Sequence, residues 1–248
     1  MTIPIPSWLG SHWLPTLYLE WLLQGAWLTL LLALSVCIAA TLLGTVFTAL
    51  RMNRYAVLRW GTQAVLSAHR NTPLIVQLFL WYFGVASILP ENLIDWVHAP
   101  HLISLPFNFS LHYPSFEVLA AFVALTLYSA SFISAELSAG LRGVKSTQTE
   151  AAYALGMTSW QAFYSVVWPQ ALALIRRPLI GQYATVVKDT SLAMVIGVAE
   201  LSYRARQVES ETLLAFQAFA VATLLYLMIT LSLQYKGQQK ITVWKLPR

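Results

Sequence analysis

Residues 21–50 run without a single Asp, Glu, Lys or Arg, and three further apolar stretches share that property: 71–90, 118–135 and 212–235. A helix needs about 20 apolar residues to cross the hydrocarbon core of a bilayer, so each stretch is a candidate span. A fifth, 178–199, has the same character apart from Lys188 and Asp189 at its centre. The pattern predicts an all-α membrane protein of about five transmembrane helices. Between the third and fourth spans the pattern changes. Residues 149–170, TEAAYALGMTSWQAFYSVVWPQ, are mostly polar and helix-forming, with a glycine in the middle.

Composition agrees with a lipid solvent. Of 248 residues, 58% are hydrophobic and only 10% charged, where a soluble domain carries about 25% charged residues. The single cysteine, Cys37, lies inside the first span and reads as apolar filler. It excludes an internal disulfide or a thiolate metal site. The histidines of the 91–117 loop, His98, His101 and His112, show no ligand spacing on one element. That loop reads as plain and solvated, and no metal or catalytic set is expected.

Charge changes the picture by orienting the chain. Lys and Arg of short loops stay on the cytoplasmic side. Arg51, Arg54 and Arg59 follow the first span, Arg142, Lys145, Arg176 and Arg177 lie between the third and fourth, and Lys236, Lys240, Lys245 and Arg248 close the chain. Residues 1–24 and 91–117 contain no Lys or Arg, and in the last outer loop Arg204 and Arg206 are balanced by Glu200, Glu209 and Glu211. The expected topology is therefore N-terminus outside and C-terminus cytoplasmic, in a multi-pass membrane protein. Residues 1–24 form an extracytoplasmic interfacial segment, marked by Trp8, Trp13, Tyr18 and Trp21. Residues 25–235 form one transmembrane domain with an inserted loop at 140–177, and 236–248 form a cytoplasmic tail. No basic patch interleaved with aromatics appears on a soluble face, which excludes nucleic acid as a partner; the net charge of +5 reflects topology and contact with the lipid membrane.

Within the loop, Gly156 interrupts a helix-favouring segment. Thr158 and Gln161 then have capping-box spacing, so a second short helix is expected from Ser159 to Val167. Trp168-Pro169 should end it, because the residue before proline avoids the α region. Trp160, Phe163, Val166 and Val167 recur at helical spacing. Such a face suits a connector resting on the bilayer or a docking surface for another protein.

Here the residues carry a resemblance. Glu150-Ala151-Ala152, three residues, Gly156, nine residues, then Val166-Val167-Trp168-Pro169 is similar to the EAA loop of ABC-importer permeases, with Val166 and Trp168 in place of the usual Ile and Leu. Arg70-Asn71-Thr72-Pro73-Leu74-Ile75-Val76-Gln77 and Lys188-Asp189-Thr190-Ser191-Leu192 resemble two further motifs of the polar amino-acid permeases, of the glutamate/aspartate and histidine/glutamine type. The resemblance covers about residues 20–235. It implies that Glu150, Ala151, Ala152, Gly156, Trp160 and Pro169 belong to a coupling helix that docks on a separate cytoplasmic ATPase subunit. It also implies a second permease subunit, identical or related, and an extracytoplasmic amino-acid-binding protein. The overall similarity extends to glutamate/aspartate-type permeases, particularly in residues 18–25, 70–95 and 214–233, although no arginine stands near Phe132, where some of them carry one.

The chain carries no P-loop of its own with which to cradle ATP. A P-loop needs Gly, four residues, then Gly-Lys-Ser/Thr, and Gly143-Val144-Lys145-Ser146 lacks the second glycine. No enzymatic activity and no cofactor are expected here, ATP being bound by the partner. Lys188 stands 11 residues beyond Arg177, about 16 Å along a helix and near the bilayer midplane. A charge there costs about 2.5–3.5 kcal/mol on insertion scales and normally faces the bundle interior or a wet cavity. An interrupted helix at Lys188, Asp189, Thr190 and Ser191, bordering the amino-acid route, is the favoured reading; a purely structural pairing is the alternative. Tyr128 and Ser131 share one face of the third span, as pathway residues or as helix-packing positions. Asn71-Thr72-Pro73 breaks the second span at its cytoplasmic entry.

Overall fold

A computed structural model describes residues 14–98, 102–105, 109–112 and 114–239. The first helix, α1 (Thr16–Arg51), starts after Pro15 and runs 36 residues, about 54 Å. It passes through residue 24, so the expected interfacial segment has no break at its end; Leu22 is fully buried and Trp21 packs beside it. Hydroxyls along α1 bond back to their own helix: Thr41 to the Cys37 carbonyl at 2.7 Å and Thr48 to the Gly44 carbonyl at 2.8 Å. In lipid each polar group needs such an internal partner.

Helix α2 (Ala56–Asn71) ends at Thr72, whose backbone is extended at φ −106°, ψ 133°, as Pro73 requires of its predecessor. α3 (Leu74–Phe79) continues through a π-helical turn, Leu80–Gly84, into α4 (Val85–Ile88), and α5 (Glu91–His98) follows. The expected plain loop is built instead from α5 and an antiparallel hairpin, β1 (Leu102–Leu105) with β2 (Phe109–His112), in which Leu102 faces His112 and Leu105 faces Phe109. Its four-residue strands are too short for alternation to announce them. His101 lies outside the described residues.

α6 (Phe116–Gly143) leads to two short helices, α7 (Ser146–Ala154) and α8 (Ser159–Ala162). A π-helical segment, Phe163–Val167, then joins α9 (Trp168–Asp189), which passes into a 3-10 helix, Thr190–Ile196. α10 (Leu201–Thr212) and α11 (Ala215–Gln239) complete the described chain. Among the described residues, Thr16–Arg51, Phe116–Gly143 and Ala215–Gly237 are long and apolar enough to cross a membrane; the pair Ala56–Asn71 and Leu74–Ile88, bent by 107° at Thr72-Pro73, reaches that length only when its two arms are counted together. The fifth expected span is helical from Pro178 to Ile196, ending at a turn at Gly197, and Lys188 and Asp189 interrupt its apolar stretch.

The chain divides into two compact units. The first takes the described residues of Met1–Ser35, Ile75–Ala124 and Val187–Thr230, and the second those of Val36–Leu74, Leu125–Val186 and Leu231–Arg248. The first unit's core joins Leu22 and Ala26 of α1 to Leu201, Ala205 and Val208 of α10 and Ala218 and Ala222 of α11. In the second unit Ala40 of α1 meets Ala130, Ile133 and Leu137 of α6 and Ile175 of α9. Both cores are rich in alanine, because helix association in lipid relies on close backbone approach.

Candidate functional site

The elbow between α7 and α8 is shaped by backbone hydrogen bonds. Gly156 has φ +79°, a conformation that costs a side chain-bearing residue about 1–2 kcal/mol. Its N–H donates to the Tyr153 carbonyl at 2.9 Å and the Met157 N–H to the Ala152 carbonyl at 3.1 Å, the paired closure of a Schellman motif. A Cβ at Gly156 would meet nothing within 4 Å, so the backbone angle demands glycine and crowding does not. The expected capping box is present: the Gln161 N–H donates to the Thr158 hydroxyl at 3.4 Å, and the Thr158 N–H to Gln161 Oε1 at 2.9 Å.

The elbow is tied to the second unit from below and open above. Ala152 is buried and Gln170 Nε2 of α9 donates to Gln148 Oε1 of α7 at 3.3 Å. Gly140 lets α6 lie against α9, since a Cβ there would be 2.9 Å from the Ala171 carbonyl oxygen. By contrast Leu155 is 79% exposed and Trp160 70%, and Tyr153 and Tyr164 are also exposed. Trp160 and Tyr164 lie together at 4.2 Å between ring centroids. Glu150, Ala151 and Pro169 are exposed around them.

One expectation fails here. Trp168-Pro169 does not end the helix; α9 begins at Trp168 and continues to Asp189. A proline inside an α-helix lacks its N–H and clashes with the carbonyl four residues back, here that of Ser165. Ser165 lies within the π-helical segment Phe163–Val167, whose wider turn makes room for the ring. Trp168 itself packs against the second unit's alanine-rich core.

At the other end of α9 the helix tightens where the charges fall. Thr190 is buried and its hydroxyl donates to the Val187 carbonyl at 2.7 Å; the Ser191 hydroxyl donates to the Lys188 carbonyl at 2.7 Å. Gly197, at φ +92°, closes the 3-10 turn. Lys188 is exposed and Asp189 half-buried. The two are within electrostatic reach without forming an ion pair among the described residues, and the buried Asp189 Oδ2 has no hydrogen-bond partner there. These four residues belong to the first unit. Tyr128 and Ser131 belong to the second, where the buried Ser131 hydroxyl donates to the Tyr128 carbonyl at 2.6 Å and the Tyr128 ring lies 5.0 Å from that of Phe132.

The family model described as "binding-protein-dependent transport system inner membrane component" matches residues 40–242. The chain belongs to that family. It is 31% identical to the probable glutamine ABC transporter permease protein GlnM of Bacillus subtilis (strain 168), over 85% of this chain and 87% of that one. It is 28% identical to the glutamate/aspartate import permease protein GltJ of Escherichia coli (strain K12), over 86% and 83%. Its fold matches a chain from a crystal structure of an amino acid ABC transporter with histidines, at a TM-score of 0.71 and 24% identity, covering 96% of this chain and 97% of that one. The protein is thus an ABC-importer permease, a multi-pass inner-membrane subunit distinct from the ATPase.

Sequence reasoning missed one residue of this permease. Glu200, counted as a loop charge, is completely buried in the first unit as the N-cap of α10. Its Oε1 accepts from the Tyr203 N–H at 2.8 Å; its Oε2 accepts from the Tyr226 hydroxyl at 2.5 Å and the Thr29 hydroxyl at 3.4 Å. Thr29 in turn accepts from the Leu201 N–H at 3.2 Å, and Ser202 and Tyr226 share a bond of 3.1 Å. One carboxylate therefore joins α1, α10 and α11. The only local signal was an acid placed directly after an apolar run and before a helix.

Proposed function

We propose that this permease carries a polar amino acid across the inner membrane, with ATP bound and hydrolysed by a separate cytoplasmic ATPase subunit that grips the elbow of residues 140–177. The observation that carries the reading is the exposed cluster of Tyr153, Leu155, Trp160 and Tyr164 around Gly156. Large apolar side chains are left uncovered on elements otherwise fixed by Ala152, Gln148 and Gln170. An aromatic anchor on a rigid turn suits insertion into a cleft of a partner, and it transmits closure as rigid-body motion.

A second permease subunit, identical or related, completes the pathway, and an extracytoplasmic binding protein delivers the substrate. The N-terminus lies outside and the C-terminus in the cytoplasm. Lys188, Asp189, Thr190 and Ser191 border the route, with Tyr128 and Ser131 on the third span. The names of the glutamine and glutamate/aspartate relatives support a polar amino acid. The exposed Lys188 ammonium suits the α-carboxylate common to all amino acids as well as a side-chain one, and the name of the glutamate/aspartate relative makes acidic amino acids the first to test.

The test is uptake by the assembled transporter in proteoliposomes carrying Gly156→Leu or Trp160→Ala. Both variants are expected to insert normally and to lose at least about tenfold of ATP-driven uptake, the cost of about 1.4 kcal/mol or more of docking energy. Full uptake by both would refute the role of the elbow.

A further inference from the structure

Three arginines from three different elements of the second unit converge on one open cleft. Arg51 closes α1, Arg59 comes from α2 and Arg142 from the last turn of α6. With Met52, Trp60 and Gln63 they line a cavity of about 270 Å3. Arg70, on the same face of α2 as Arg59 and Gln63, lies with Arg142 close enough to repel Arg51 electrostatically. Among the described residues no carboxylate pairs with Arg51, Arg59 or Arg142. Arg54 is turned elsewhere, onto the hydroxyl of Tyr55 at 2.8 Å.

A preference for basic residues on the cytoplasmic side scatters charges along loops. It does not require like charges from separate helices to line one cavity with no carboxylate among its lining residues. Helix α2 supplies the second half of the argument. It rests on its neighbours through Thr62 and Leu66, while Val57 and Trp60 stand exposed on the opposite flank. A basic amphipathic helix with an exposed tryptophan belongs at the boundary between headgroups and acyl chains.

We propose that the cleft holds the phosphate of an anionic phospholipid of the inner leaflet, such as phosphatidylglycerol. Guanidinium forks of Arg51, Arg59 and Arg142 bind the phosphate oxygens, and Trp60 and Val57 lie along the acyl chains. A free phosphate would satisfy the same charges but would leave that apolar flank uncovered. The leaflet assignment rests on the orientation proposed above; the binding itself does not.

The assembled transporter, purified in detergent, is titrated with phosphatidylglycerol, phosphatidylcholine or glycerol phosphate, and bound molecules are counted by native mass spectrometry. Phosphatidylglycerol should be retained and phosphatidylcholine should not. Each basic residue near an anionic surface contributes roughly a fivefold gain in affinity. Arg51→Gln with Arg142→Gln should therefore weaken retention about 25-fold, whereas Arg176→Gln with Arg177→Gln should leave it unchanged. Because Arg51 is partly buried, the pair Arg59→Gln and Arg142→Gln, both exposed, is the second variant and should give a similar loss. Equal retention in wild type and both cleft variants would overturn the site. Glycerol phosphate binding as tightly as the lipid would make it a free-phosphate site and overturn the lipid. Val57→Cys, in a Cys37→Ala background, should resist an impermeant maleimide added to intact cells. Labelling from outside would overturn the inner-leaflet assignment even with the lipid bound.

Discussion

Replacing Glu200 should destabilise the permease through a network that joins three helices, and the size of the effect follows from the bonds. Glu200→Ala removes the acceptor of the Tyr226 hydroxyl at 2.5 Å and of the Tyr203 N–H at 2.8 Å, and a longer contact to Thr29 at 3.4 Å. A hydrogen bond to a charged group contributes about 1.5–3 kcal/mol, a helix cap about 1 kcal/mol, and a 3.4 Å contact little. Since Glu200 is completely buried, water cannot replace what is lost, and the expected cost is about 3–4 kcal/mol. Glu200→Gln keeps the shape and an acceptor for Tyr203, trading charge-assisted bonds for neutral ones, at about 1 kcal/mol. Tyr226→Phe alone should cost about 1.5–2 kcal/mol. In Glu200→Ala with Tyr226→Phe, the shared bond can be lost only once. The pair should therefore cost only about 0.5 kcal/mol more than Glu200→Ala alone, for the Ser202 bond that Tyr226→Phe also removes, a coupling of about 1.5 kcal/mol. Thermal unfolding of the assembled transporter in detergent reads this out, at roughly 2–4 °C per kcal/mol for a chain of this size. Additivity within about 0.5 kcal/mol, or a Glu200→Ala cost below about 1 kcal/mol, would refute the network.

Two further outcomes test other parts of the chain. Lys188→Met should lower uptake of the transported amino acid at least about tenfold, a loss of about 1.4 kcal/mol, with normal yield of assembled transporter; unchanged uptake in proteoliposomes would make Lys188 structural. Gly140→Val should reduce stability by about 1–3 kcal/mol, because its Cβ would fall 2.5 Å from Ile175 Cγ2 and 2.9 Å from the Ala171 carbonyl oxygen, and backbone does not yield as a side chain tip does. Gly61→Ala is its control: the added methyl meets nothing within 4 Å, so it should be neutral or stabilising by up to about 1 kcal/mol in the same unfolding assay.

What could be read from sequence, and what could not, divides by the distance over which each feature is decided. The Thr158–Gln161 capping box, the left-handed Gly156 and the break at Thr72-Pro73 are set by residues within one turn of each other, and all stand where their spacing placed them. The tightening of the helix after Lys188-Asp189 is similarly local, with Thr190 and Ser191 bonding three residues back. Pro169 misled because a rule for ideal α-helices was applied where the preceding turn is π-helical. Glu200 escaped for a different reason. Its acceptors are occupied by Tyr226, 26 residues away, and Thr29, 171 residues away, and neither partner has any signature that announces the pairing. A charge at the end of an apolar run reads as a solvated terminus unless distant hydroxyls happen to meet it. The same reasoning ranks the proposed roles. The elbow's exposed aromatics follow from local geometry and stand on firmer sequence ground, whereas whether Lys188 meets a carboxylate depends on neighbours brought from elsewhere in the assembly. Substitution at Gly156 therefore probes what one segment does by itself, while substitution at Lys188 probes what the assembled pathway makes of it.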